Sequence, residues 1–300
     1  MKRTYAIIVT YNPDVDVLRE QIVSLERLAG LVVIDNFSDN LDEIESLVAD
    51  LSFQKIDFVK NPTNLGLAFA QNQGIARARL LNAEHIIIFD QDSIPESGMV
   101  AHLLDAESRL ISSGERVAAV GPVTFDPDTG AEYPITRYNG PFIQRYYTRS
   151  AEIANASFII ASGSLIRMSV IDSVGGMLDA LFIDYIDVEW CYRAQSLGYR
   201  LFISSSARMS HRVGDKRVKF FGRSISQHSP LRRYYLTRNS LYVLKLRHIP
   251  MGYKVRELSL NFARFVAFLY FSNRRGVYLK YVARAVSDGL RGKFGKLEGM

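Results

Sequence analysis

Ile86-Ile87-Ile88-Phe89-Asp90-Gln91-Asp92 is a short apolar run that stops on two carboxylates. Four bulky apolar residues without alternation read as a strand buried on both faces. Working back, residues 5–10 have the same character and end at Thr10-Tyr11-Asn12-Pro13. Residues 31–34 end at Asp35-Asn36, and residues 56–59 form a third such run, which makes 86–89 the fourth. Between them, residues 15–28, 41–51 and 65–81 read as helices. Their apolar residues recur near helical spacing, or they are Ala-rich. Further on, 99–111 reads as a helix and 117–120 as a fifth strand. This alternation predicts an α/β fold with a mostly parallel sheet covered by helices on both faces. Ligands of such sheets bind beyond the carboxyl ends of the strands. Thr10-Tyr11-Asn12, Asp35-Asn36 and Asp90-Gln91-Asp92 all fall at those ends.

Composition narrows the class. Three hundred residues, 48% hydrophobic and 23% charged, exclude disordered and low-complexity architectures. One cysteine, Cys191, excludes an intramolecular disulfide framework and a Cys-based zinc site, and suits a reducing compartment. The apolar run 6–9 is shorter than a secretory signal core, so no signal is expected. No stretch approaches the roughly 20 apolar residues that span a bilayer. The net charge of +6 is uneven: residues 1–199 carry 15 Lys and Arg against 27 Asp and Glu, and residues 200–300 carry 22 against 4. The last third therefore suits a polyanionic partner (nucleic acid, anionic membrane or phosphate groups) or is a solvated basic surface. It has no interleaved motif of the nucleic-acid-binding modules, so nucleic acid is not expected.

The middle of the chain is less regular. Residues 125–150, rich in Tyr, Pro and Gly, read as irregular, and 157–161 as strand-like, leading to Ser162-Gly163. Residues 187–197 read as a helix ended by Gly198, and 200–203 as a strand followed by His211. From Ser229 the chain is helical and basic, with 231–246 and 255–271 as apolar and basic mixtures. The second of these either lies in a membrane interface as an amphipathic helix or packs on the rest of the protein.

Asp90 and Asp92 are hard oxygen ligands suited to Mg²⁺ or Mn²⁺ shared with substrate phosphates. Asp92 alternatively caps a helix starting near Pro95. Asp35 can accept hydrogen bonds from a ribose or base, or form a turn. Asn64 can cap the helix that follows it, and Gly66 permits close backbone approach.

Taken in order, Thr10-Tyr11-Asn12-Pro13, Val33-Ile34-Asp35-Asn36-Phe37-Ser38-Asp39, Asn61-Pro62-Thr63-Asn64-Leu65-Gly66 and Asp90-Gln91-Asp92 resemble the nucleotide-sugar half of glycosyltransferase family 2. Ser162-Gly163 and Phe182-Ile183-Asp184-Tyr185-Ile186-Asp187-Val188-Glu189-Trp190-Cys191 also look like that family. The wording is most similar to its bacterial rhamnosyltransferase branch, which builds surface polysaccharide such as O-antigen from dTDP-L-rhamnose.

The resemblance implies a GT-A type fold over residues 1–228, with a nucleotide-sugar half to 124, an acceptor half after it, and a basic helical extension over 229–300. It implies nucleotide-sugar contacts from Thr10, Asn12, Asp35, Asn64, Asp90 and Gln91. It implies a cation, Mg²⁺ or Mn²⁺, on Asp90, Asp92 and His211, with Ser162 and Gly163 on the acceptor side. Asp187 matches the general base of an inverting transfer. Where the family often has Glu-Asp this chain has Ile186-Asp187, so Asp184 and Glu189 stand as other candidates for the base, and Asp187 also suits a helix N-cap. The expected partners are dTDP-L-rhamnose and a lipid-linked saccharide, met in the cytoplasm at the inner face of the plasma membrane. A UDP-hexose donor is the same-class alternative. An inactive nucleotide-sugar-binding scaffold is the different-class one, and Asp90, Asp92 and Asp187 argue against it.

Overall fold

Apolar runs without alternation can be buried only where helices cover both faces of a sheet. The computed structural model has that arrangement. It describes all residues except 1, 26–27, 52–54, 149–151, 213–216, 221–222, 227–228, 272–274 and 299–300. The first third runs β1 (Thr4–Thr10), α1 (Val15–Ser24), β2 (Gly30–Asp35), α2 (Leu41–Asp50), β3 (Ile56–Lys60), α3 (Leu67–Leu80), β4 (His85–Asp90). Then come β5 (Ser93–Pro95), α4 (Met99–Ser112), β6 (Val117–Phe125), β7 (Ile135–Asn139), β8 (Phe142–Tyr146), β9 (Ile153–Ala156) and β10 (Ser164–Arg167). The chain continues with α5 (Met168–Val174), α6 (Ile186–Ser196), β11 (Arg200–His211), β12 (Arg217–Phe220) and β13 (Arg223–Ser226). It closes with α7 (Pro230–Lys245), α8 (Met251–Phe271) and α9 (Arg275–Arg291).

The central sheet has the order β3-β2-β1-β4-β10-β6-β11-β5, with β9 on β11. β3, β2, β1 and β4 are mutually parallel, and β11 is parallel to β6. β10 is antiparallel to both β4 and β6. Side chains alternate across it. Ile7, Val9, Val32, Ile34, Ile86 and Ile88 face one apolar layer, which α3, α5 and α6 complete. Ala6, Ile8, Leu31, Val33, Ile87 and Phe89 face the other, under α1, α2 and α4. Each fully buried Ile or Val contributes about 2 kcal/mol. α3 lies so close on β1 that a Cβ at Gly74 would stand 2.2 Å from Ile7 Cγ2.

Two expectations need correction. Residues 135–146 are a regular hairpin, β7 on β8, within the stretch read as irregular. The turn residue Gly140 has φ 58°, the left-handed conformation that a two-residue hairpin turn calls for. Residues 157–161 are not a strand, because β9 ends at Ala156 opposite Leu201. The backbone then turns to the hairpin, with Ser157 N–H donating to Thr136 O and Tyr138 N–H to Ser157 Oγ.

The basic end of the chain is welded to the sheet layers. α7 starts at Ser229, whose hydroxyl accepts from Arg232 N–H, with Pro230 in the first turn. α9 packs along α7, where Tyr234 Oη donates to Asp288 at 2.9 Å. Buried Arg238 donates to Gly295 O and Leu181 O. No helix among the described residues is long and apolar enough to cross a membrane.

Candidate active site

Strand register sets the site. Thr10 pairs with Asp35 across β1–β2, and Val9 with Asp90 across β1–β4, so the polar strand ends meet on one edge. A cleft of about 620 Å³ opens there. Asn64, Asp90, Gln91, Asp92, Asp187 and His211 line it. Asn36, Tyr185 and Arg232 do so as well.

His211 arrives by a long route. β11 runs twelve residues with a register break between Ser204 and Arg208, and its end pairs antiparallel with β5, His211 opposite Ser93. The Asp92 carboxylate then lies 3.8 Å from His211 Nδ1. One donor atom from each of Asp90, Asp92 and His211 falls within 4.8 Å of the others. Two hard carboxylates and an imidazole at this spacing fit Mg²⁺ or Mn²⁺. Burial pushes the Asp90 carboxyl up and Asp92 adds to it, while His211 and Arg232 pull it down. Asp92 does not cap α4, whose N-cap is Gly98.

A line of hydroxyls ties this group together. Asp90 N–H donates to Ser162 Oγ at 3.0 Å, Ser162 Oγ to Ser93 Oγ at 2.8 Å, and Ser93 Oγ lies 2.8 Å from His211 Nδ1. Ser162 is fully buried behind the cleft wall, as is the turn at Gly163, whose φ is 80° against Pro122 and Met209. Ile160 and Ala161 form the wall in front of them.

Thr10 and Asp35 are buried behind the lining, and Asn12 is exposed beside it. The buried Asp35 carboxylate accepts from Thr10 Oγ1 at 2.9 Å and from the N–H groups of Phe37 and Ser38 at 3.1 and 3.0 Å. Asn12 N–H donates to Ser38 Oγ, and its side-chain oxygen accepts from Asp39 N–H. These bonds fold residues 35–39 into a rigid turn. Next to it Asn36 donates to Asn64 Oδ1, which also accepts from Gly66 N–H. Asn64 thus serves the turn ahead of α3, whose N-cap is Gly66. Gln91 binds both the N–H and the carbonyl of Tyr11, locking the ends of β1 and β4.

Residues 181–186 form the other side. Phe182, Asp184 and Tyr185 all have positive φ (63°, 65° and 66°). Such backbone costs about 1–3 kcal/mol per residue and persists only where its surroundings hold it. Asn239 of α7 donates to the carbonyls of Leu181, Ile183 and Asp184. Leu67 N–H donates to Phe182 O, and Phe182 stacks on Tyr235 at 5.0 Å. Gly66, at φ 92°, lies where a Cβ would meet Phe182 at 2.5 Å.

Three carboxylates come into question as base, and they differ in company. Asp184 is paired with Arg232 at 3.1 Å. Glu189 is buried, receives two bonds from Arg193 at 2.9 and 2.8 Å, and lies 2.9 Å from His248. Asp187, the second residue of α6, accepts from Val188 N–H and has no cationic partner among the described residues. Desolvation pushes it up to about 7 against the pull of that N–H, and the charges of Asp90 and Asp184 add to the rise. The N-cap position of α6 belongs to Tyr185, not Asp187.

Sequence reasoning did not single out Arg232, Tyr185 or the residue behind Tyr185. Tyr185 Oη donates to the buried Glu257 of α8 at 2.6 Å, and only the crowding of charge in the last third hinted at a contribution from there. Of the cations that flank His211 in the sequence, Arg208 is engaged by Glu96 and Glu132, and Arg212 pairs with Asp128 while lining the cleft. Lys216 and the side chain of Arg217 lie outside the described residues.

Known proteins resemble this chain in sequence and in fold. The sequence model of Glycosyl transferase family 2 matches residues 5–175. The dTDP-rhamnosyl transferase RfbF of Shigella flexneri is 34% identical over 291 residues, 96% of this chain and 95% of that one. The amylovoran biosynthesis glycosyltransferase AmsB of Erwinia amylovora is 23% identical over 281 residues, 88% of each. Two solved structures share the fold. GalNAc-T7 with UDP, GalNAc and Mn²⁺ superposes with a TM-score of 0.59 at 15% identity, over 96% of this chain and 58% of that one. The mannosyltransferase PcManGT from Pyrobaculum calidifontis, with GDP-Man and Mn²⁺, gives 0.55 at 14% identity, over 98% and 76%. The chain is a glycosyltransferase and belongs to glycosyltransferase family 2.

Proposed function

We propose that this enzyme moves L-rhamnose from dTDP-L-rhamnose to a hydroxyl of a saccharide acceptor, with inversion, in the synthesis of a cell-surface polysaccharide. The observation that carries the chemistry is one cleft holding a three-residue cation cluster and a cation-free acid of raised pKa. The similarity to a dTDP-rhamnosyl transferase over nearly the whole of both chains supports the donor. A lipid-linked acceptor, met in the cytoplasm at the inner membrane face, belongs to the same proposal and is supported by the basic layer of α7–α9.

Asp90, Asp92 and His211 hold Mg²⁺ or Mn²⁺, which when bound supplies positive charge to the departing diphosphate. The Ser162–Ser93 path fixes the His211 ring. Thr10 and Asp35 shape the nucleotide pocket from behind, Asn12 braces the 35–39 turn at its edge, and Asn64 and Gln91 wall it. Ser162 and Gly163 support the acceptor side from beneath. Asp187 takes the acceptor hydroxyl's proton on a carboxylate oxygen. That hydroxyl's oxygen bonds to the anomeric carbon as the carbon–phosphate-oxygen bond breaks on the opposite face. A β-L-rhamnosyl donor thus gives an α-L-rhamnoside.

The test is nucleoside diphosphate release from dTDP-L-rhamnose, UDP-glucose, UDP-galactose and UDP-N-acetylglucosamine, with either metal or EDTA. Release from dTDP-L-rhamnose alone, lost with EDTA and in Asp92→Asn, is expected. A preference for a UDP donor overturns the rhamnose assignment and leaves the family intact.

A further inference from the structure

The outward face of α8 has no partner among the described residues. Met251, Val255, Leu258, Phe262 and Val266 follow one another at steps of three or four residues, which puts them on one stripe of the helix. Met251, Leu258 and Phe262 are 70%, 58% and 69% exposed. The stripe begins where the β7–β8 hairpin meets α8: a Cβ at Gly252 would stand 2.4 Å from the Gly140 backbone. Phe142, two residues beyond Gly140, is itself 74% exposed. Contiguous apolar surface of this kind marks a docking site.

Charge decides the occupant. Residues 229–300 hold fifteen Lys and Arg against three Asp and Glu. Two of the three acids, Glu257 and Asp288, are buried. The surface of this layer is therefore almost purely cationic, with Lys245, Arg247, Lys280, Arg291, Lys293 and Lys296 exposed. A second copy would set the same positive field against itself. An anionic lipid surface complements it, taking the apolar stripe at the acyl boundary and the cations at the headgroups.

We infer that α8 is the membrane-seating element of this enzyme, its Met251–Val255–Leu258–Phe262–Val266 stripe lying in the interface of an anionic bilayer. The inward face of α8 bears Glu257, which holds Tyr185 in the cleft wall. The seated helix therefore keeps the cleft beside the lipid surface. The inference stands independently of the donor sugar, because its test reads no turnover.

Full-length protein is floated with phosphatidylcholine vesicles with and without phosphatidylglycerol. Binding to the anionic vesicles is expected to exceed that to neutral ones by about tenfold or more and to fall as salt rises. Leu258→Glu with Phe262→Glu, both at exposed positions, is expected to abolish flotation and leave the thermal melt unchanged. A second variant, Lys280→Glu with Arg291→Glu, is expected to weaken binding to anionic vesicles alone. Equal binding to both vesicles, no binding, or an unaffected Leu258/Phe262 variant overturns the inference. So does a dimer in sedimentation velocity that this variant dissociates, since a second copy would then cover the face.

Discussion

The raised pKa of Asp187 has opposite consequences for turnover and stability. As a base it must be ionised, so the rate is expected to rise with pH through about 7 and level off above. The folded state binds the Asp187 proton more tightly than the unfolded chain, where an Asp titrates near about 4. Its contribution to stability is thus complete below about pH 4 and is lost as pH rises toward 7. Asp187→Asn does not titrate. It is expected to lose about 10²–10⁴ in rate, yet to melt higher than the parent at pH 8. That gain fades as the melts are repeated toward pH 4. Ser162 acts at one remove, through Ser93 on His211. Ser162→Ala is expected to raise the metal concentration for half-maximal activity about 10–100-fold, with turnover at saturating metal kept. A metal titration of donor release reads both.

At the scale of elements, the sequence shows which strand ends meet but not how the later segments come to them. Thr10, Asp35 and Asp90 were legible because parallel strands in register put their carboxyl ends on one edge. The placement of His211 depends on β11 extending past residue 203 through a register break to reach β5, and no local periodicity encodes that. The β7–β8 hairpin had a usable signal in its turn pair Gly140-Pro141, obscured by the surrounding Tyr and Pro. The 181–184 turn was hidden for a different reason. Its positive φ angles fall on Phe182 and Asp184, with a third on the adjoining Tyr185, the two aromatic residues being ones whose own preferences oppose them, and it is held by Asn239, more than fifty positions later. Asn239→Ala takes its donor from the carbonyls of Ile183 and Asp184, while Leu181 O keeps Arg238, at a cost of about 1–3 kcal/mol for each group left unpaired. The expected result is a lower urea midpoint together with a loss of transfer activity, because Asp184 and Tyr185 lose their anchor.

For the whole molecule, the charge split between the first two thirds and the last third was plain in composition, whereas its structural meaning was not. α7 contributes Arg232 to the cleft lining and Asn239 to its supports, α8 adds Glu257, and α8 leaves one apolar face outside. A chain ending after residue 250 loses Glu257 behind Tyr185 and Asp288 beside Tyr234. Its melting temperature is expected to drop well beyond the roughly 3 °C that 1 kcal/mol produces at this size, as circular dichroism will read. The grip of Asn239 on residues 181–184 also bears on how the enzyme comes into being. A ribosome releases the ends of β1, β2 and β4 long before it makes α7. The parallel sheet can begin to assemble while the catalytic turn is still unanchored. A nascent chain that lacks α7 is thus expected to carry the parallel sheet without the anchored turn that completes the cleft.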